Sequence, residues 1–281
     1  MDKIKDSILK KIEQFDQIPV FSDDIQKLTE ARYSDENELM ALLKYEIPVV
    51  TNILKLANSS MYEVDRKYGS LEELLNDLGF EELKKLLTMS LTTNIYAKGS
   101  GYEIGKGEMR RHSIASAIIS KYLKPFLPDV ALSRDLFTCC LIADIGKLVL
   151  SEEISTANYK INQLLKNEEI DFLTTEKRVI GITHPEIGAR ILNNWEFPPE
   201  IIQAVRYHHD PTLVENAPLT HFVSLSDTIA MLAGFATGID ALEYRAFPDL
   251  FKKYGIKQKD IEVILMESIN EIKEIIPYNP A

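Results

Sequence analysis

The sequence predicts an all-α fold, a multi-helix bundle in which an N-terminal helical subdomain precedes a second helical core. Two observations predict it. Apolar residues recur at three- and four-residue steps along most of the 281 residues, the period of one helix face, while alternation at the strand period is scarce. In addition, no G-x-G-x-x-G or P-loop pattern appears, and neither internal repeats nor low-complexity tracts are evident.

The elements follow in order. Ile4, Ile8, Leu9, Ile12 and Phe15 form a first amphipathic stripe, which Ile18-Pro19 ends. Ser22 or Asp23 can cap a second helix carrying Ile25 and Leu28. Asp35 starts a third with Leu39, Leu42 and Leu43. Pro48 marks the start of a fourth, since proline is tolerated in a first helical turn, and Asn58-Ser59-Ser60 is its polar stop. Ser70 and Glu73 read as a capping box ahead of Leu71, Leu74, Leu75 and Leu78, with Gly79 closing that helix. Leu83, Leu86, Leu87 and Leu91 continue in the next. Lys98-Gly99-Ser100-Gly101 is the best break in the chain and divides residues 1–98 from residues 99–281. Beyond it, helices are expected at 108–124, 133–150, 157–166, 171–180, 184–194, 198–209, 217–237 and 259–274.

Composition narrows the function. With 43 acidic against 32 basic residues the net charge is −11, which argues against a general affinity for nucleic acid or anionic membrane. No apolar run approaches the ~20 residues that span a bilayer. The only two cysteines, Cys139 and Cys140, are adjacent and cannot form an ordinary disulfide with each other. With no signal peptide evident, a cytoplasmic protein is expected.

Asp144 stands within Cys139-Cys140-Leu141-Ile142-Ala143-Asp144-Ile145-Gly146-Lys147, an apolar run read as the interior of a buried helix. An ionised carboxylate there needs a cation or strong hydrogen bonds. It is either a structural aspartate or a metal ligand. Asp227 is a second carboxylate in an apolar stretch. Of the five histidines, four lie in suggestive settings. His112 begins an apolar helix face with Glu108 one turn earlier, His184 stands at a helix start before Pro185, and His208-His209 closes a helix. Imidazoles and carboxylates drawn from several helices of a bundle are what Fe, Mn, Zn or Ni sites are made of. His221 is expected to be a solvated or capping residue, Trp195 to pack a helix corner, and Lys84-Lys85 to face solvent.

The ordered set His112, Ala143-Asp144-Ile145-Gly146-Lys147, His184, His208-His209 and Asp227 resembles the metal framework of the HD phosphohydrolase superfamily, particularly its HD-GYP branch. Leu56-Ala57-Asn58-Ser59-Ser60-Met61-Tyr62, Gly69-Ser70-Leu71, Leu78-Gly79-Phe80 and Ile18-Pro19-Val20 resemble the hallmark stretches of the HDOD family, relatives that have generally lost the ligands and occur in bacterial signalling and regulation. The resemblance spans about residues 10–235. It implies one metal position at His112, Asp144 and Asp227, and a second at Asp144, His184 and a histidine of the His208-His209 pair, with one or two divalent transition ions. It also implies a third-metal carboxylate at Glu108 and a phosphate contact at Lys147. Ala143 departs from the pattern, because the superfamily has histidine there, and the glycine-tyrosine-proline signature is not visible after Pro211.

Three readings follow. The first is a regulatory HDOD module that binds metal or ligand without efficient turnover and acts on a signalling partner. The second is a metal-dependent phosphohydrolase or phosphodiesterase acting on a phosphate-containing ligand, in which Asp144 bridges two metals. The third is a non-catalytic metal sensor to which Cys139 and Cys140 contribute. The first is the reading adopted.

Overall fold

The structure is a computed structural model that describes residues 2–15, 36–59, 66–94, 108–129, 132–150, 160–161, 163–165, 168, 170–235 and 247–276. No strand occurs among them. The first half contributes α1 (Asp2–Gln14), α2 (Glu36–Leu43), α3 (Ile47–Asn58), α4 (Leu71–Leu78) and α5 (Phe80–Asn94). The second half contributes α6 (Glu108–Leu123), α7 (Ser133–Ile142), α8 (Phe172–Val179), α9 (His184–Asn194) and α10 (Pro199–Tyr207). It ends with α11 (Pro218–Leu232), α12 (Pro248–Lys253) and α13 (Gln258–Ile275). None of the described helices is long and apolar enough to cross a membrane.

Local sequence explains the boundaries. Pro48 lies in the first turn of α3. Ser70 caps α4 by accepting from the Glu73 N–H at 3.3 Å, while the Glu73 carboxylate reaches back to the Gly69 N–H, one residue earlier than a strict capping box. Thr183 and Glu186 form a complete box at the start of α9. The far end of α9 is a Schellman turn, with Phe197 N–H donating to Leu192 O and Glu196 N–H to Asn193 O. Glu196 there takes φ 57°, a left-handed position usually given to glycine.

Helix α6 is the axis of the second half and packs against α7, α11 and α13. Its buried face includes Ile114, Ala115, Ile118 and Ile119, and the small residues Ser113, Ala117 and Ser120 let its neighbours approach closely. In the first half α3 packs on α4 and α5 and also touches α7. One apolar core runs through both halves, from Ile8 to Ile276. Phe15, just after α1, stacks on Trp195 at 5.8 Å, so the indole does close a helix corner.

Asn58 shows what the hallmark motif does. Fully buried, it accepts from the Tyr68 N–H through Oδ1 at 2.7 Å and donates through Nδ2 to Tyr68 O at 2.9 Å. Lys67 adds a contact from its ammonium to the Asn58 carbonyl at 2.6 Å. Gly69 then presses on the second half, where a Cβ would fall 2.5 Å from Asp135 Oδ1 and 2.6 Å from Ile201 Cδ1. The motif is a brace between the end of α3, the segment before α4, and helices α7 and α10.

Three expectations change. The helix expected over 133–150 is broken, because Ala143 and Asp144 form a turn between α7 and a helical segment at 145–150. The turn lets Gly146 meet the first residue of α9 directly, and any Cβ at 146 would lie 2.0 Å from the His184 carbonyl. His221 is not solvated. It is buried, with Nδ1 2.6 Å from the Tyr254 hydroxyl and Nε2 2.9 Å from Val214 O. Helix α11 ends at Leu232, short of the expected 237. The second expected helix, the break at 98–101, Ile18-Pro19-Val20 and Met61-Tyr62 lie outside the described residues.

Candidate metal centre

Four of the residues singled out in the sequence, Asp144, His184, His208 and His209, meet at one buried point. Asp144 is 2% exposed and divides its two oxygens between two sets of neighbours. Oδ1 lies 3.3 Å from His184 Nε2 and 3.7 Å from His208 Nε2. Oδ2 lies 3.1 Å from the Lys147 ammonium and 3.7 Å from His112 Nε2. His208 and His209 pack ring to ring at 4.0 Å, and His209 sits 5.1 Å from the His184 ring. One ligand atom from each of Asp144, His184, His208 and His209 falls within 4.8 Å of all the others, close enough to share an ion.

Each imidazole is aimed by its local structure. His184 opens α9, and its Nδ1 is 2.9 Å from the Glu176 carboxylate, which also accepts from the His184 backbone N–H at 3.0 Å. That pairing turns Nε2 towards Asp144, as outer carboxylates do for metal-bound histidines. His208 follows the last residue of α10, and its Nδ1–H donates to Val205 O at 2.7 Å. That bond turns Nε2 towards Asp144 Oδ1, 3.7 Å away. Both atoms are buried and neither has a hydrogen-bond partner. Buried polar atoms left unsatisfied are costly, and an ion held by this imidazole and carboxylate set would satisfy them, so the donor set fits a metal ion.

The other half of the expected framework is arranged differently. His112 Nε2 is 2.7 Å from Asp227 Oδ1, and its Nδ1–H donates to Phe235 O. The Phe235 carbonyl is placed by a Schellman turn ending α11, where Gly234 takes φ 86° and Phe235 N–H donates to Ala230 O. Both His112 nitrogens thus face oxygen acceptors. His112, Asp227 and Glu108 fall outside the four-residue ligand group, although Asp227 Oδ2 lies 3.6 Å from His209 Nδ1.

Electrostatics follow this division. Burial works against the Asp144 carboxylate, but Lys147 and the adjacent imidazoles of His184 and His208 outweigh it and hold its pKa well below the usual range. Burial also disfavours charge on His112 and His184, yet Asp227 raises the first to about 9, and Glu176 with Asp144 raises the second to about 9. Burial and the neighbouring His208 and His184 hold His209 well below its ordinary value, leaving a neutral imidazole. Burial pushes the Cys140 thiol up to about 12 although Ser226, Ser116 and Ser120 pull it down. Neither cysteine belongs to the ligand group, and both pack in the core.

Sequence reading missed Glu176. Its signal was present: Glu176 stands on the α8 face that carries the buried Phe172, Thr175 and Val179, a core position for a carboxylate.

The HDOD domain family model matches residues 16–211. The chain belongs to the HDOD family. An uncharacterized protein of Treponema pallidum (strain Nichols) is 23% identical over 213 residues, which make up 74% of this chain and 40% of that protein. The chain thus spans two-fifths of that relative's length. Among solved structures, the MmoQ response regulator of Methylococcus capsulatus str. Bath superposes with a TM-score of 0.64 at 17% identity, over 89% of this chain and 98% of that one. A virulence factor of Campylobacter jejuni subsp. jejuni gives 0.62 at 15%, over 99% and 98%. An HDOD domain protein of unknown function from Geobacter sulfurreducens gives 0.53 at 19%, over 99% of both chains. At these identities the three solved chains share the fold with this one.

Proposed function

We propose that this chain is a regulatory HDOD module whose pocket keeps a divalent transition ion, held by Asp144, His184, His208 and His209, and does not turn substrate over efficiently. Membership of the family supports the regulatory part, and the module would act through a protein partner. The observation that carries metal binding is the approach of His208 Nε2 to Asp144 Oδ1 at 3.7 Å, two buried polar atoms of ligand type that have no hydrogen-bond partner. Three imidazoles and one carboxylate suit Fe, Mn, Ni or Zn. A bound ion would supply Lewis acidity and could lower the pKa of a coordinated water towards ~7.

The chain's residues also bear on turnover. Ala143 contributes no ligand, and His112 is engaged by Asp227 and Phe235 O. The phosphohydrolase reading keeps one specific point in its favour, a buried Lys147 ammonium within 3.1 Å of Asp144, where a substrate phosphate would be steadied.

Elemental analysis of protein purified from cells grown with added iron and manganese tests the proposal. Near-stoichiometric transition metal is expected, and His208→Ala or Asp144→Asn should remove most of it. Less than roughly a tenth of an equivalent in the folded wild type would sink the metal site. Turnover of cyclic dinucleotides above that of Asp144→Asn would move the assignment to the hydrolase.

A further inference from the structure

The two oxygens of Asp144 face different worlds. Oδ1 points at imidazole nitrogens aimed by Glu176 and by Val205 O. Oδ2 points at an ammonium and at an imidazole whose nitrogens both serve oxygen acceptors. An ion on the Oδ2 side would need donors, and each candidate there is already committed. Both ring nitrogens of His112 already lie within hydrogen-bond distance of protein oxygens, Phe235 O and Asp227 Oδ1. Asp227 Oδ1 accepts that bond at 2.7 Å. Residue 143 ends in a methyl group, and Lys147 brings a positive charge within 3.1 Å of the oxygen a metal would use. Bringing a divalent ion beside that ammonium in a low-dielectric interior is unfavourable.

We infer that the pocket is built for a single ion bound on the Oδ1 side, with Asp144 a terminal and not a bridging ligand, and with Lys147 and His112 standing where a second cation would be. The inference rests on the metal reading above. It has a chemical consequence: without a second ion there is no bridging hydroxide between metals, so the paired-metal route to phosphodiester hydrolysis is closed. Ligand choice at the single ion then falls to whichever oxygen or nitrogen donor completes its coordination. Lys147 and His112 hold the second oxygen of Asp144 in place from the other side.

Stoichiometry decides it. The full chain is stripped with a chelator, reloaded with manganese(II), freed of excess metal by gel filtration, and examined by elemental analysis and by electron paramagnetic resonance. One equivalent is expected, with the hyperfine pattern of an isolated ion. Two equivalents with the broadened signal of an exchange-coupled pair would overturn the inference while leaving the metal reading intact. No bound metal in folded protein would overturn the metal reading and this inference with it. A double variant, Ala143→His with Lys147→Gln, restores an imidazole and removes the ammonium. It is expected to take up a second equivalent, and a folded double variant that stays at one would show that these residues do not exclude the second ion.

Discussion

Glu176 is a carboxylate set in the core, and the partner it holds there is His184. Its carboxylate receives both the backbone N–H and the ring Nδ1 of His184, and it is fully buried. Glu176→Gln keeps the shape and one acceptor but removes the charge that makes His184 a basic ligand. The expected result is a metal affinity lower by about 10–100-fold in a chelator competition, with the fold retained. An unchanged affinity would mean that Glu176 only fills space. At this scale the sequence was legible where a polar residue interrupts an apolar run, as at Asp144 and Asp227. It was less legible at Glu176, because Lys177 and Arg178 follow it and make the stretch look like an ordinary charged helix. His221 misled for the opposite reason: its partners, Tyr254 and Val214, come from elements that its own helix face does not announce.

The helical segment 145–150 and α9 meet at two glycines, Gly146 and Gly188, and this contact sets the distance from Asp144 to His184. A Cβ at Gly146 would lie 2.0 Å from the His184 carbonyl and 2.7 Å from Gly188 N, both backbone atoms that cannot swing aside. At Gly188 a Cβ would meet Val205 Cγ1 at 2.9 Å and Ile145 Cγ2 at 3.2 Å, side-chain atoms able to give. Gly146→Ala should therefore destabilise the protein by about 1–3 kcal/mol and displace the start of α9. Metal affinity should fall as well, whereas Gly188→Ala should be the milder change in both denaturant unfolding and metal titration. Equal effects from the two alanines would argue against the contact as the positioning device. Most helix boundaries were readable from caps and periodicity, with α9 at 184–194 as expected. The break at Ala143 and Asp144 was not, because Leu141, Ile142 and Ile145 keep the helical rhythm going. The interruption comes from packing against α9, which has no local signature.

Across the molecule, the last helix is fastened to both halves through one carboxylate. Glu271 in α13 accepts from Tyr45 at 3.1 Å, from Tyr122 at 3.1 Å and from the Lys121 ammonium. Burial raises the pKa of Glu271, but the hydrogen bond and charge of Lys121, then the two tyrosines, outweigh it and leave it lowered. A folded-state pKa below the unfolded one means stability that is complete above the unfolded value and lost as pH falls through the folded one. Glu271→Gln should cost about 1–2 kcal/mol near neutral pH, and the gap from wild type should close below about pH 4. A gap that stays constant with pH would assign the cost to packing instead of charge. The helical class was legible from period, whereas the grouping of Asp144 with the histidines was expected only through the resemblance to the HD framework. The Tyr45 to Glu271 link, 226 residues apart in sequence, was not, since neither residue looks unusual where it stands. The brace at Asn58 is a hinge pin set apart from the ligand group. Asn58, Tyr68 and Gly69 join the two halves through their own contacts, and the four ligand candidates cluster around Asp144, so damage to one should leave the other's local bonding in place.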